Sequence, residues 1–298
     1  MKKKIDALKN SDGFLGWIFN VPYLAYSVVF FLIPLIWAFW LSTTDWNLMS
    51  NNKNFIGMDN FISLVNDPRV RAAFMNSFKY LVPIVVLTFA AAMIIALLVH
   101  KLPEKLKGIT SVLFFIPYLT SGVAISVVVR YFFSYNSALN MFLREKGITI
   151  DWFRDPKWAF VIIIGIIVWK MSGYYALFIL SALESISDDI HDACKIDGVK
   201  GIKKFIKVTL PMIIPTLTTV VVLTAGLAFG IFTEPYLLTG GGPNLATTTW
   251  QLEIYNTSFT NFQSGYGAAI AIASAVHIFI TIKIITFTMG KVNKKYGM

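Results

Sequence analysis

Cysteine is almost missing from this chain: Cys194 stands alone among 298 residues. One thiol excludes an intrachain disulfide, and three scattered histidines, His100, His191 and His277, show no metal-ligand spacing. Charged residues are scarce, at 14% against roughly 25% in an ordinary soluble domain. No G-x-x-x-x-G-K-[ST] run occurs, and the glycines at 240–242 lead into Pro243 with no lysine nearby, so the usual phosphate cradle is missing. Acids are thin in the same region, where Glu234 and Glu253 have no evident partner in the sequence. A membrane enzyme would be expected to show paired carboxylates, a metal-binding histidine pair or a nucleophile motif near a span end. The chain offers none of these, and no cofactor is expected.

What is present is apolar. Hydrophobic residues make up 56% of the chain and aromatics 15%. A bilayer core about 30 Å thick takes roughly 20 apolar residues in helical form, because no water is there to satisfy backbone groups. Hydropathy places six such spans at residues 20–41, 80–100, 109–133, 158–180, 211–232 and 267–289. The fold class expected is an all-α polytopic membrane protein. The N-terminal MKKK resembles the start of a signal peptide, but the apolar run after it is long and lacks a small-x-small cleavage site, so it reads as a retained span. The N-x-[ST] match at Asn256 is given no weight.

The net charge of +10 would point to nucleic acid in a soluble protein. Here the basic residues gather at span ends, so nucleic acid is not an expected partner. With both termini on the cytoplasmic side, fifteen Lys and Arg residues fall inside and eight outside, and residues 233–266 carry none. The positive-inside rule therefore expects cytoplasmic termini. Three cations lie within spans. Arg130 and Lys283 sit near span ends and are expected to snorkel to the interface. Lys170 lies deeper, beside Trp169 and ahead of Gly173, Tyr174 and Tyr175, and an intramembrane charge is a functional candidate. Small residues at Gly226, Gly230 and Gly267 to Ala275 offer close-packing faces to another helix of this chain or of a partner.

Between the fourth and fifth spans lies a charged, helix-patterned segment. Leu183, Ile186, Ile190, Ala193 and Cys194 recur at helical spacing, with Ser187 placed to cap and Asp188 and Asp189 where the helix dipole is positive. Gly198 supplies the stop, since glycine reaches positive φ without a Cβ clash. Residues 201–208 read as a second amphipathic piece lying flat on anionic headgroups, with Ile202, Phe205 and Ile206 opposite Lys203, Lys204 and Lys207. Pro211 is expected in the first turn of the next span.

This segment resembles the EAA loop of the inner-membrane components of binding-protein-dependent ABC importers, E-A-A, three residues, G, nine residues, I-x-L-P. Here it reads Asp192-Ala193-Cys194, then Gly198, then Val208-Thr209-Leu210-Pro211, with the spacing kept and Asp, Cys and Val in place of Glu, Ala and Ile. FFIPYLTSGVAISVV at 114–128, VWKMSGYYALFILSALESI at 168–186 and YLLTGGGPNLATTT at 236–249 resemble the carbohydrate-uptake branch, the MalF-like permeases.

The resemblance implies an ABC importer type I permease fold. It would comprise a cytoplasmic segment at 1–19, a transmembrane domain at 20–290 with a coupling loop at 182–211, and a cytoplasmic tail at 291–298. It implies a multi-pass protein of the bacterial cytoplasmic membrane that pairs with a second homologous permease, a cytoplasmic ATPase dimer and an extracytoplasmic solute-binding protein. Ile190, Asp192, Ala193, Cys194, Asp197, Gly198, Leu210 and Pro211 would couple to the ATPase. Gly241, Gly242 and Pro243 would face the binding protein.

Sugars stack on aromatic faces and need a few polar groups for their hydroxyls. Trp169 is supported by the resemblance to maltose-type permeases. Lys170, Tyr174, Tyr175, Tyr118, Thr120, Thr224 and Phe229 are candidates on physical grounds for the same substrate path. The solute expected is a sugar or oligosaccharide, with glycerol phosphate or an acidic, uronate-type sugar as alternatives. An ion-coupled secondary transporter is a rival class that would show repeats and broken helices at matching positions; no such repeat is seen, and it would leave the EAA-type loop unexplained.

Overall fold

The computed structural model describes residues 12–295, and the basic residues Lys2, Lys3, Lys4 and Lys9 and the last residues of the tail lie outside them. The described residues form an all-α fold, and among them five helices are long and apolar enough to cross a membrane, with a sixth crossing if a bent pair is taken as one span. The expected polytopic architecture is therefore observed.

The chain forms two compact units. In the first, the opening span runs through Asp12–Ser27, a π-helical turn at Val28–Leu32, and Ile33–Leu41. The π-turn precedes Pro34, which has no N–H to give the helix ladder and whose ring crowds the carbonyl four residues back. The segment that follows is pinned by polar contacts. Asn60 donates to the carbonyls of Ser42 and Thr44, each at 2.8 Å, and Leu48 N–H reaches the Phe262 carbonyl at 2.8 Å. Gly265 is required here because a Cβ would lie 2.2 Å from the Thr44 carbonyl oxygen.

The second unit is built around the fourth span, Pro156–Glu184, of whose most apolar stretch 61% is buried. It packs against Pro68–His100 and Glu104–Leu119. The second and fourth spans start from the same signal, Asp-Pro. Asp67 and Asp155 accept from the backbone N–H two residues on, at 2.8 Å in both cases, and the proline takes the first helical position. The second helix thus begins twelve residues ahead of the apolar run read from hydropathy, which started at residue 80.

Three further departures from the sequence reading matter for function. The third span is broken: Glu104–Leu119 and Gly122–Phe132 meet at 85°, because Thr120 and Ser121 are extended (ψ 143° and 128°). The segment expected to lie flat on headgroups is helical from Gly201 straight into the fifth span, through a π-turn at Phe205–Thr209 that accommodates Pro211. The last helix, Ser264–Lys295, continues beyond the expected span end into the region read as a tail.

Candidate functional site

Two surfaces and the core between them carry the sequence candidates. At the charged loop the fourth span ends at Glu184, where Lys107 bridges Glu184 at 3.2 Å and Glu104 at 3.1 Å. The helix Asp188–Ile196 follows, with Ser187 at the N-cap in extended conformation. Its hydroxyl makes no cap bond, so the expected side-chain cap is absent. Leu183, Ile186 and Cys194 are buried and Ile190 packs half-buried on the same core, which reproduces most of the expected stripe. Ala193 instead faces outward with Asp192, Asp197 and Gly198.

The C-terminus is a full Schellman closure. Gly198 has φ +67°, its N–H reaches the Lys195 carbonyl at 3.2 Å, and Val199 N–H reaches the Cys194 carbonyl at 2.8 Å. Asp192 and Lys195 pair at 2.7 Å on the exposed side. The hydrogen bond from Lys195, and then its charge, hold the Asp192 carboxyl below its ordinary value. Beside them Ile196 is 87% exposed, an apolar group left uncovered on a polar helix and not singled out by the sequence. Leu210 packs against the core and Pro211 opens the regular part of the fifth span.

Along the fourth span the aromatic candidates separate into two groups. Tyr174 stacks on Tyr118, with ring centroids 4.3 Å apart and planes 13° from parallel, and Phe115 extends the cluster. Thr120 sits two residues after Tyr118 at the break in the third span, its hydroxyl donating to the Pro117 carbonyl. Trp169 lies about 140° around the helix from Tyr174, since five residues turn roughly 500°. It lines an apolar groove of about 370 Å³ with Trp152, Trp158, Gly165 and Phe133. Tyr175, Thr224 and Phe229 are buried inside the chain and present no surface to a solute.

Lys170 is also buried, and its ammonium lies 4.0 Å from Glu234. Glu234 opens the short helix Thr233–Leu238, so the acid that had no evident partner in sequence finds one across the fold. Arg130 does not simply snorkel: it donates to the Leu237 carbonyl at 3.2 Å. Lys283 lies over the Phe279 ring at 5.5 Å. His277 accepts from the Trp250 indole at 3.1 Å amid Phe74, Phe78 and Phe229. Among the described residues no three metal-ligating side chains converge.

The glycine-rich loop at residues 239–249 is internally cross-linked. Gly240 and Gly241 take positive φ, and a Cβ on Gly241 would meet the Thr248 hydroxyl at 2.7 Å. Thr247 donates to the Gly242 carbonyl at 2.7 Å and Thr248 to that of Gly241 at 3.1 Å. Asn76 of the second span donates to the carbonyls of Leu245 (2.8 Å) and Thr248 (3.0 Å), and the Tyr80 hydroxyl reaches that of Thr247 at 3.3 Å. Gly241 is buried, Gly242 and Pro243 are half-buried, and Asn244 is the exposed tip. Asn76 and Tyr80 were not legible as loop anchors because the contacts cross more than 160 residues.

The family described as "Binding-protein-dependent transport system inner membrane component" matches residues 11–289. The chain is 33% identical over 283 residues to the lactose transport system permease protein LacF of Rhizobium radiobacter, covering 93% of each. It is 31% identical over 267 residues to the probable ABC transporter permease protein YurN of Bacillus subtilis (strain 168), covering 88% of this chain and 91% of that one. Its fold is similar to that of a chain in the crystal structure of a bacterial alginate ABC transporter bound to its periplasmic protein, with TM-score 0.82, 20% identity and 98% of each chain covered.

Proposed function

Because the chain belongs to the binding-protein-dependent transport system inner membrane component family, we propose that it forms one half of the transmembrane path of an ATP-driven importer for an oligosaccharide or smaller sugar. It is a transport subunit and not an enzyme. In this reading a second, related permease completes the path, a cytoplasmic ATPase dimer drives it, and an extracytoplasmic binding protein delivers the solute. The membrane is the bacterial plasma membrane, with both termini cytoplasmic.

The observation that carries the reading is the helix Asp188–Ile196. It is joined at one end to the most buried span, closed at the other by the Gly198 turn, and presents Asp192, Ala193, Ile196 and Asp197 outward. Such a helix suits a seat in a partner's cleft. Moving a two-state path from one side to the other takes about 5.5 kcal/mol of differential binding for a swing from 1:99 to 99:1. A stiff, well-terminated helix can transmit that difference, whereas a loose tether would dissipate it.

On the solute side, we assign the stacked pair Tyr118 and Tyr174, with Thr120 at the break, as the sugar-facing group, and Trp169 as a separate aromatic surface. Tyr175, its ring centroid 5.1 Å from that of Tyr174, and Thr224, which hydrogen-bonds Tyr175, back that pair, whereas Phe229 packs on His277. Support for a sugar comes from the lactose permease relative and from the aromatic character of these positions. Asn244, carried by Gly241, Gly242 and Pro243, is the part of the outer loop offered to the binding protein. Affinity purification of a tagged copy tests the assembly: retention of an ATPase and a second permease is expected, and their consistent absence would sink the importer reading.

A further inference from the structure

Lys170 and Glu234 come from elements 64 residues apart and meet where the third span breaks. Their side chains are 10% and 11% exposed. A Cβ on Gly122, the first residue of the outer half-span, would stand 3.4 Å from the Lys170 ammonium and 3.5 Å from a Glu234 oxygen. The Glu234 carboxylate therefore lies at the positive end of the helix Gly122–Phe132 as well as beside a cation. A second strap, Arg130 to the Leu237 carbonyl, ties the same two helices at 3.2 Å.

We infer that Lys170 and Glu234 act as one positioning pair that clamps the outer-loop helix Thr233–Leu238 onto the broken third span and onto the fourth span. This deepens the sugar-importer reading and rests on it. The clamp places the outer loop in mechanical series with the fourth span, whose cytoplasmic end leads into Asp188–Ile196. It also assigns the two cations nearest the break, Lys170 and Arg130, to contacts inside the chain and not to a solute anion. The solute class that fits is an uncharged carbohydrate, in preference to a phosphate ester or uronate.

The test uses the assembled transporter, with its partner permease, ATPase and binding protein, in lipid nanodiscs. The readouts are ATP hydrolysis stimulated by the binding protein and the thermal midpoint of the complex. Removing one member of a buried pair strands a charge, whereas replacing both by apolar groups of similar size is tolerated. Lys170→Met and Glu234→Met alone are expected to cut stimulated hydrolysis at least tenfold or to prevent assembly. The double variant should recover to within about threefold of wild type, and Lys170→Arg should retain activity.

A double variant as defective as the worse single one, or single variants indistinguishable from wild type, would overturn the pairing. A double variant that regains its thermal midpoint but not stimulation would overturn the coupling role. Absence of ATP hydrolysis in the wild-type assembly would instead count against the importer reading, so the two failures are distinguishable.

Discussion

Gly173 sets how closely the fourth span approaches the first half of the third. A Cβ there would fall 1.8 Å from the Phe114 carbonyl oxygen, 2.5 Å from its carbon and 3.2 Å from the Phe115 nitrogen, all backbone atoms that cannot rotate away. Ordinary contact begins near 3.4 Å, so Gly173→Ala forces the helices apart by roughly 1.5 Å, enough to forfeit more than half the dispersion well of each facing atom pair. The surrounding void, lined by Ser111, Phe114, Ala176 and Leu180, is only about 10 Å³ and has no room to absorb the shift.

Overpacking of this kind costs about 1–3 kcal/mol, and about 2 kcal/mol lowers a midpoint by roughly 4–8 °C in a chain of this size. Gly108→Ala on the facing helix is the control. Nothing lies within 4 Å of its Cβ, and alanine should be neutral or stabilise by about 0.5–1 kcal/mol. The assay is thermal unfolding of the purified transporter followed by loss of its monodisperse chromatographic peak. A Gly173→Ala midpoint equal to wild type, or a Gly108→Ala loss of the same size, would refute the close-approach argument.

At Gly198 nothing lies within 4 Å of a Cβ, so substitution costs backbone strain alone. Retention of the ATPase should therefore fall in the order Asn, Ala, Val, by about 1–2 kcal/mol for Val, with membrane insertion unchanged; equal retention by Asn and Val contradicts this. Asn76→Ala removes two hydrogen bonds to the loop, although the Leu245 carbonyl keeps the Thr248 N–H at 3.2 Å, and should cost about 1–3 kcal/mol at about 0.5–1.5 for each bond, seen as faster proteolysis at residues 239–249. Asn76→Asp, an acceptor facing acceptors, should be worse, and an unchanged cleavage rate for both would remove Asn76 as an anchor.

Asp192 titrates below its ordinary value of 3.8 because of Lys195. The pair's contribution is therefore complete above the ordinary carboxylate range and lost only as pH falls through the lower folded value. ATPase retention should then show the same change between about pH 7 and about pH 5 in wild type and in Asp192→Asn. A loss in that window that Asp192→Asn abolishes would contradict the assignment.

Hydropathy was enough to find the spans, and the helix stop at Gly198 followed from glycine's freedom at positive φ. The break in the third span was not legible, because a two-residue extension at Thr120 and Ser121 leaves the apolar average unchanged; Pro117 and Gly122 on either side were the local signal. Asp67-Pro68 marked the true start of the second helix, but a polar first turn lies outside any apolar window. The flat-lying helix failed for a related reason: amphipathic spacing at Ile202, Phe205 and Ile206 does not say whether a segment leaves the next span or extends it. Glu234 looked partnerless because partners across 64 residues are written in the fold alone.

The threonine-braced loop at residues 239–249 has a consequence for how a partner would bind it. Association costs about 0.5–1.5 kcal/mol for each flexible side chain that must be ordered. Thr247, Thr248 and Asn76 have already fixed the backbone that carries Asn244. A docking protein would meet a surface whose shape is set before contact, so the encounter would be limited by orientation and charge, and changes at the loop tip would register chiefly in the dissociation rate.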